Sequence, residues 1–277
     1  MGEGAMFRLL AVVILLVLPA VAWAGDAVTS PRCTPPDGRE WLRVGENCLG
    51  IETFGADNLG PRPQLVVLLH GDSSQGGPVD YFYPIAREIS AETDVVTVAL
   101  LRPGYADGHG KVSDGRNWGR VDGYTAENVD LVAAALTQLR LRYKARRLIV
   151  LGHSGGAATT AILIGKHPGL VDVALLVSCP CDIVKWNQMV RRPAWTRSLL
   201  PMAFLDRVDM KTDVVAMTGT GDGWTAPATV TGYVERLKAR GVDARFVPVP
   251  VAAHEFKPLW LNGVKRELVA ILHGHNS

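Results

Sequence analysis

Short apolar segments recur along the chain and predict strands that are buried on both faces of a sheet. Most are rich in β-branched residues and end in polar or glycine-rich sequence, which is typical of parallel strands covered on both sides. Residues 41–54 alternate more loosely and predict one or two edge strands. The buried strands are expected at 64–69, 94–101, 148–151, 171–177, 213–218 and 244–249.

Segments with helical periodicity lie between these strands. The clearest is 125–143, where Val129, Val132, Leu136 and Leu139 fall on one helical face. Because strands and helices alternate, the sequence predicts an α/β fold with a mostly parallel sheet, helices on both faces and right-handed crossovers. Further helices are expected at 83–90, 154–166, 226–239 and 258–272.

Two segments interrupt this alternation. Residues 102–123 are rich in glycine and aspartate and lack periodicity, and a loop of that length in a compact domain is usually functional or mobile. Residues 182–210 are of mixed character. The connections are too short to mark a second full domain, so we expect one domain at 25–277 with a small cap or lid at 182–210.

The N-terminal residues predict a targeting signal. Arg8 precedes an apolar segment at 9–18, and Ala22-Trp23-Ala24 supplies small residues where a signal peptidase cleaves. The apolar segment is shorter than the roughly 20 residues that span a bilayer. We therefore expect a signal peptide at 1–24 and a secreted or periplasmic mature chain without a stable membrane anchor.

All four cysteines follow this signal and suit an oxidising compartment. Cys33 and Cys48 flank a proline- and glycine-rich stretch and are expected to form a local disulfide. Cys179 and Cys181 are separated by one residue. Two interpretations of this pair stay open: free buried thiols or an unusual tight disulfide. A zinc site is not expected, because no second pair of ligands stands at metal spacing.

The formal net charge is +2, and 20% of the residues are charged. A near-neutral charge without basic blocks argues against nucleic acid as the main partner. The candidate chemistry instead lies at Gly152-His153-Ser154-Gly155-Gly156, directly after a predicted strand and before a predicted helix. This arrangement places Ser154 at the apex of a sharp turn as a nucleophile. The alternative is an N-cap serine on an ordinary glycine-rich turn.

A serine nucleophile needs a base and an acid that orients the base. Asp222 follows the strand at 213–218 and His254 follows the strand at 244–249. Both should therefore emerge at the carboxyl edge of the sheet, as Ser154 does. Asp182 is a rival candidate for the acid. If the two residues are not catalytic, Asp222 is a turn or N-cap residue and His254 is an exposed loop residue.

The reaction also needs two backbone N–H donors for the developing oxyanion. Gly155, directly after the nucleophile, supplies one, and the glycine-rich loop at 70–77 supplies the other through the N–H of Asp72. Four other histidines have no catalytic role in this interpretation. We expect a structural role for His70, packing for His153 and solvent exposure for His273 and His275.

This combination resembles the α/β-hydrolase superfamily over most of the mature chain. Gly156 is similar to the elbows of the dienelactone-hydrolase-like and prolyl-oligopeptidase-like branches, and Arg102-Pro103-Gly104-Tyr105 looks like the family's loop at that position. The resemblance implies a sheet of about eight strands, the first two from residues 40–60. It also implies a Ser–Asp–His triad and no metal or organic cofactor.

We therefore expect an exported serine hydrolase that cleaves small-molecule or acyl esters through an acyl-enzyme. A small secreted peptidase or amidase with the same triad stays open, and so does a non-catalytic binding protein. The oligomeric state is left open. The insert's Trp186, Trp195 and Phe204 would line an acyl pocket or form the insert's own core, and the 102–123 loop would supply another wall.

Overall fold

A computed structural model gives the fold of this chain. Residues 2–24 of the predicted signal peptide and His275 lie outside the residues that it describes. Within the described part, no helix has both the length and the hydropathy needed to cross a bilayer. The described residues are Met1, Cys33, 39–57, 59–92 and 94–274.

The described residues form one sheet of eight strands, in the order β1-β2-β4-β3-β5-β6-β7-β8. The first two strands are a hairpin that joins β4 in antiparallel fashion, and all later pairings are parallel. This arrangement confirms the predicted α/β fold with a mostly parallel sheet. The strands are β1 (Trp41–Val44), β2 (Asn47–Phe54), β3 (Gln64–Leu69), β4 (Val95–Leu100), β5 (Arg147–His153), β6 (Val173–Val177), β7 (Asp213–Gly219) and β8 (Ala244–Val249).

Helices cover both faces of the sheet. The core on one face takes side chains from α2, α3 and α6, and the core on the other takes them from α1, α7 and α8. Short 3-10 turns lie at Trp118–Arg120, Leu205–Arg207 and Pro227–Thr229. The helices are α1 (Phe82–Ile89), α2 (Ala126–Arg142), α3 (Gly155–Lys166), α4 (Ile183–Met189), α5 (Pro201–Phe204), α6 (Thr231–Ala239), α7 (Phe256–Leu259) and α8 (Lys265–Leu272).

The central strand β5 contains an unbroken apolar segment at 148–151. Leu148 and Val150 point into the core beside α2 and α3, whereas Ile149 and Leu151 point into the core beside α1 and α8. All four side chains are fully buried. Each contributes about 1.5–3 kcal/mol to folding by leaving water, so the strand is fixed in the middle of the molecule.

The C-terminal helix differs from the prediction. A single helix was expected at 258–272, but the helical segment begins at Phe256 and is divided by a π-helical turn at Trp260–Val264. Gly263 leaves the helical dihedral angles within that turn. The periodicity of the apolar residues survives this interruption, because both α7 and α8 still pack on the same core.

Both cysteine pairs are disulfide-bonded. The bond between Cys33 and Cys48 confirms the predicted pairing, and a closed loop of this size contributes about 3 kcal/mol in the chain-entropy picture. Cys179 and Cys181 are also bonded to each other. Of the two interpretations of this pair, the tight disulfide is therefore correct. All four cysteines are fully buried.

The turn from β5 into α3 is packed so closely that two glycines have no room for a side chain. A Cβ atom on Gly156 would overlap the carbonyl oxygen of Leu69 in β3, and one on Gly152 would overlap the backbone of Ala157 in α3. The spacing of these glycines is therefore set by the approach of α3 to the sheet.

Gly156→Ala should lower the free energy of unfolding by roughly 3 kcal/mol or more, because the methyl group must displace backbone atoms. Gly232→Ala is the matched control, since a Cβ atom at this exposed position in α6 meets nothing within 4 Å. It should be neutral or stabilise the protein by roughly 0.5–1 kcal/mol. Urea unfolding measures both, and equal stabilities would contradict the close contact at Gly156.

Candidate active site

Ser154 occupies the apex of the turn between β5 and α3 in an unusual backbone conformation. Its φ is 53° and its ψ is −116°, and positive φ is uncommon for residues other than glycine. The serine N–H donates to the carbonyl of Val177 in β6 at 2.8 Å. The strained backbone is thus held in place by the neighbouring strand, and the side chain is presented at the carboxyl edge of the sheet.

His254 lies within hydrogen-bond distance of both Ser154 and Asp222. Its Nε2 is 3.1 Å from Ser154 Oγ, and its Nδ1 is 3.0 Å from Asp222 Oδ2. Asp222 comes from the turn after β7 and His254 from the loop after β8, the two places that the strand assignments predicted. The structure therefore brings Ser154, His254 and Asp222 together in a single line.

The environment of Asp222 keeps its carboxylate ionised. Burial alone would raise its pKa, but the hydrogen bond and charge of His254, together with bonds from Thr225, hold the pKa well below its ordinary value. The backbone N–H groups of Trp224 and Thr225 donate to Oδ1 at 2.9 and 2.8 Å, and the Thr225 hydroxyl donates to Oδ2 at 2.7 Å. The ionised Oδ2 then accepts a hydrogen bond from the Nδ1–H of His254, so Nε2 is free to accept from Ser154.

Asp182 lies elsewhere and has a different partner. It is the N-cap of α4, where its Oδ1 accepts a hydrogen bond from the Lys185 N–H at 3.0 Å. An N-cap carboxylate satisfies an otherwise unpaired helix donor. The rival acid thus has a local structural role and no hydrogen bond to His254 among the described residues.

The two expected oxyanion donors lie where the loop after β3 meets the first turn of α3. The side chain of Asp72 packs directly on Gly155, so closely that a Cβ atom on the glycine would overlap the carboxylate. In the described chain, neither the Asp72 N–H nor the Gly155 N–H has a hydrogen-bond acceptor. The first N–H groups of a helix are unpaired by construction and are suited to binding negative charge.

The carboxylate of Asp72 accepts hydrogen bonds from three side chains that sequence reasoning missed. Arg102 forms an ion pair with it, and the hydroxyl groups of Tyr105 and Tyr124 donate to it at 3.1 and 2.6 Å. Burial alone would lower the pKa of this guanidinium, but Tyr105, Asp72 and Tyr124 raise it above its ordinary value. A positive charge therefore balances the carboxylate beside the candidate oxyanion donors.

His70 links two loops rather than facing the nucleophile. Its Nδ1–H donates to the Gly71 carbonyl at 2.7 Å, and its Nε2 accepts the Arg102 N–H at 3.0 Å. Burial and the nearby Arg102 charge hold the pKa of His70 well below its ordinary value. This placement agrees with a structural role.

His153 belongs to a hydrogen-bonded chain that joins the loop after β3 to the loop after β8. The Gly71 N–H donates to the Tyr81 hydroxyl at 2.6 Å, and that hydroxyl donates to His153 Nδ1 at 2.8 Å. The Nε2–H of His153 then donates to the carbonyl of His254 at 2.9 Å. Burial lowers the pKa of His153 to about 3, with the charge of His254 acting in the same direction, so the ring is neutral.

A cleft of about 470 Å³ opens above Ser154. Of the three aromatic residues singled out in the insert, only Trp186 lines it. Trp195 packs between the rings of Tyr124 and Trp186, and Phe204 lies against Gly165 of α3. The 102–123 loop contributes no lining residue, although Tyr124, just beyond it, does.

The described residues contain no group of three or more histidine, cysteine, aspartate or glutamate side chains that could hold a metal ion. The groups brought together at the candidate site are a hydroxyl, an imidazole, a carboxylate and backbone N–H donors. That set of groups can perform nucleophilic acyl transfer.

Comparisons with known proteins agree with this fold. The model of a family described as the alpha/beta hydrolase family matches residues 66–273. No curated protein sequence matches the chain at a significant level.

Several solved structures are similar to the chain at low identity. Est1E from Butyrivibrio proteoclasticus, solved with ferulic acid, is 13% identical with a TM-score of 0.62 over 84% of this chain and 99% of its own. A proline iminopeptidase from Mycobacterium smegmatis is 15% identical with a TM-score of 0.62 over 85% and 97%. A putative dienelactone hydrolase from Klebsiella pneumoniae is 15% identical with a TM-score of 0.58 over 80% and 92%. At these identities the likeness concerns the fold alone.

The buried neutral His153 should make the protein less stable in acid. The unfolded state binds a proton at His153 below about pH 6.5, whereas the folded state resists it until about pH 3, so the free energy of unfolding falls as the pH drops through this window. In His153→Gln this fall should be smaller. Urea unfolding at about pH 7 and about pH 5 measures the difference.

His273→Gln is the matched control for this experiment, because the side chain of His273 is 56% exposed and its contact with Glu92, at 3.4 Å, is a weak surface ion pair. It should leave the pH dependence as in the wild type. If both variants keep the wild-type dependence, His153 does not contribute to it.

Proposed function

Because the chain belongs to the alpha/beta hydrolase family, we propose that it is a serine hydrolase that cleaves carboxylic esters through an acyl-enzyme. The observation that carries the proposal is the line of contacts from Ser154 Oγ through both ring nitrogens of His254 to Asp222, at 3.1 and 3.0 Å. This is the arrangement in which a neutral imidazole activates a serine hydroxyl.

In the first half of the reaction, His254 Nε2 takes the proton of Ser154 as Oγ attacks the acyl carbon of the ester. The N–H groups of Gly155 and Asp72 would stabilise the negative charge on the carbonyl oxygen. The tetrahedral intermediate collapses as its C–O bond to the alcohol breaks, and His254 gives its proton to the departing alcohol. Ser154 is left acylated.

In the second half, water repeats the same steps. His254 takes a proton from water, and the resulting hydroxide attacks the acyl carbon. The bond to Ser154 Oγ breaks, and His254 returns the proton to the serine as the free acid leaves. During both halves the ionised Asp222 stabilises the protonated imidazole and holds its Nδ1 proton in place.

The preference for an ester substrate rests on structural neighbours. Est1E was solved with ferulic acid, and another neighbour is a putative dienelactone hydrolase. A proline iminopeptidase shares the fold at similar identity, so amide hydrolysis is the alternative to exclude. Turnover of a matched ester and amide by the same preparation distinguishes the two, and a higher kcat/KM for the amide would replace the ester proposal with an amidase.

Export is part of the proposal. It is supported by the signal-like residues at 1–24 and by the two disulfide bonds, because disulfides persist in oxidising compartments. Fractionation of cells that express the full chain, with N-terminal sequencing of the mature protein, tests both export and the cleavage site.

Ser154→Ala should lower kcat for p-nitrophenyl acetate by roughly 10⁴-fold or more while leaving the fold intact. Ser74→Ala is the matched control, since Ser74 is an exposed serine that lines the same cleft, and its activity should stay near that of the wild type. A fluorophosphonate probe should label the wild type but not Ser154→Ala. Wild-type activity in Ser154→Ala would rule out the mechanism, and folded wild-type protein that escapes labelling would favour a non-catalytic binding protein.

Asp222→Asn should lower kcat by about 10⁴-fold, because the amide stabilises the wrong tautomer of His254. Asp182→Asn should leave kcat unchanged and at most slightly weaken the cap of α4. Circular dichroism and urea unfolding of both variants separate a loss of activity from a loss of folding. The reverse pattern would make Asp182 the acid.

A further inference from the structure

One cation in the cleft lacks an acidic partner. Arg192 follows α4 and lines the cleft together with Ser154. Among the described residues, no aspartate or glutamate forms a salt bridge or hydrogen bond with its guanidinium. Its backbone is anchored by a bond from its N–H to the Asn187 carbonyl at 2.8 Å.

Two indole rings hold the guanidinium in place. It lies 5.4 Å from the ring centroid of Trp186 and 5.1 Å from that of Trp224. The Trp186 side chain is almost fully buried, and its Nε1–H donates to the Trp224 carbonyl at 2.9 Å. The buried Trp186 ring is therefore a fixed support on one side, and the partly exposed Trp224 ring contacts the guanidinium as well. These contacts restrict the rotamers of Arg192 without using its N–H donors.

The other charges that line the cleft differ from Arg192 in their surroundings. The Asp72 carboxylate is already paired with Arg102. Glu255 is exposed and follows His254. Arg192 thus differs from the other charged residues of the cleft. Two aromatic rings contact its guanidinium, and it has no acidic partner in the described chain.

From this arrangement we propose that Arg192 binds a carboxylate of the substrate, so that the enzyme acts on esters that carry a second, anionic group. The inference rests on the proposed function, because the same cleft holds Ser154. A guanidinium offers paired, coplanar N–H donors that match the two oxygens of a carboxylate. Binding such a group would orient the ester over Ser154 and favour anionic esters over neutral ones of equal size.

The kinetic test compares esters that differ only by the carboxylate. Mono-p-nitrophenyl adipate and p-nitrophenyl hexanoate place the anion on the acyl side, and 4-acetoxybenzoate and phenyl acetate place it on the leaving group. In Arg192→Gln, the ratio of kcat/KM for the anionic ester to that for the neutral ester should fall roughly 10- to 100-fold in at least one pair. Arg192→Lys should be intermediate, because it keeps the charge but loses the paired donors.

Two control variants separate direct contact from a general effect of charge. Arg191→Gln removes the same charge from the preceding residue, which is exposed and does not line the cleft, and it should leave the ratio unchanged. Glu255→Gln removes a negative charge from the cleft and should not lower the ratio. An equal fall in Arg191→Gln and Arg192→Gln would contradict a specific carboxylate contact.

A binding measurement tests Arg192 without catalysis. In Ser154→Ala, benzoate should bind more tightly than benzamide and should change the fluorescence of Trp186 and Trp224, which flank the guanidinium. Adding Arg192→Gln should raise the Kd for benzoate roughly tenfold or more while leaving that for benzamide unchanged. Titration calorimetry and tryptophan fluorescence measure these constants.

The outcomes for the two proposals are distinguishable. If the wild type hydrolyses neutral esters but Arg192→Gln changes neither the substrate ratio nor the Kd for benzoate, the carboxylate site is wrong and the ester hydrolase stands. If the wild type hydrolyses no ester, the proposed function is wrong, and benzoate binding alone decides the role of Arg192. Circular dichroism of each variant establishes that it is folded.

Discussion

The candidate site depends on how closely α3 approaches β3. Gly156 lets the first turn of the helix lie against the carbonyl of Leu69, and this contact leaves the chain no room for a gradual bend between β5 and α3. Ser154 consequently takes up the whole change of direction in one residue with positive φ. Because the end of the strand and the first turns of the helix are buried on either side of Ser154, the surrounding core maintains this backbone strain.

The same contact brings the Asp72 carboxylate close to the position where the negative charge of an oxyanion would develop. The Asp72 carboxylate lies on Gly155, and the N–H groups of both residues have no acceptor in the described part of the chain. An uncompensated carboxylate there would oppose an oxyanion, and burying it would be costly. The guanidinium of Arg102 compensates this charge, and the hydroxyl groups of Tyr105 and Tyr124 donate to the two carboxylate oxygens. The cluster of Asp72, Arg102 and the two tyrosines thus both positions the loop after β3 and balances the charge of the carboxylate.

Local sequence was sufficient to predict most of the fold and where the candidate residues emerge. Every residue of β3 is buried, and the largely apolar segment at 64–69 matched this strand residue for residue. The segment at 244–249 also matched its strand, β8, although this edge strand is partly exposed. The topology of a parallel sheet then places Asp222 and His254 beside Ser154. By contrast, Tyr124 reaches Asp72 across 52 residues, and no local pattern specifies such a partner. The π-helical turn at Trp260–Val264 was also missed, since both halves of the helix keep their apolar faces on one core.

The pairing of all four cysteines has a practical consequence for spectroscopy. Since neither pair leaves a thiol, a cysteine introduced at an exposed position would be the single free thiol of the oxidised protein. Leu141 at the end of α2 is 72% exposed and outside the cleft lining, and Met189 at the end of α4 is 44% exposed. A maleimide dye or spin label at either position would attach without competing sites. With labels at both positions, the distance between α4 and α2 could be followed in solution as ligands are added.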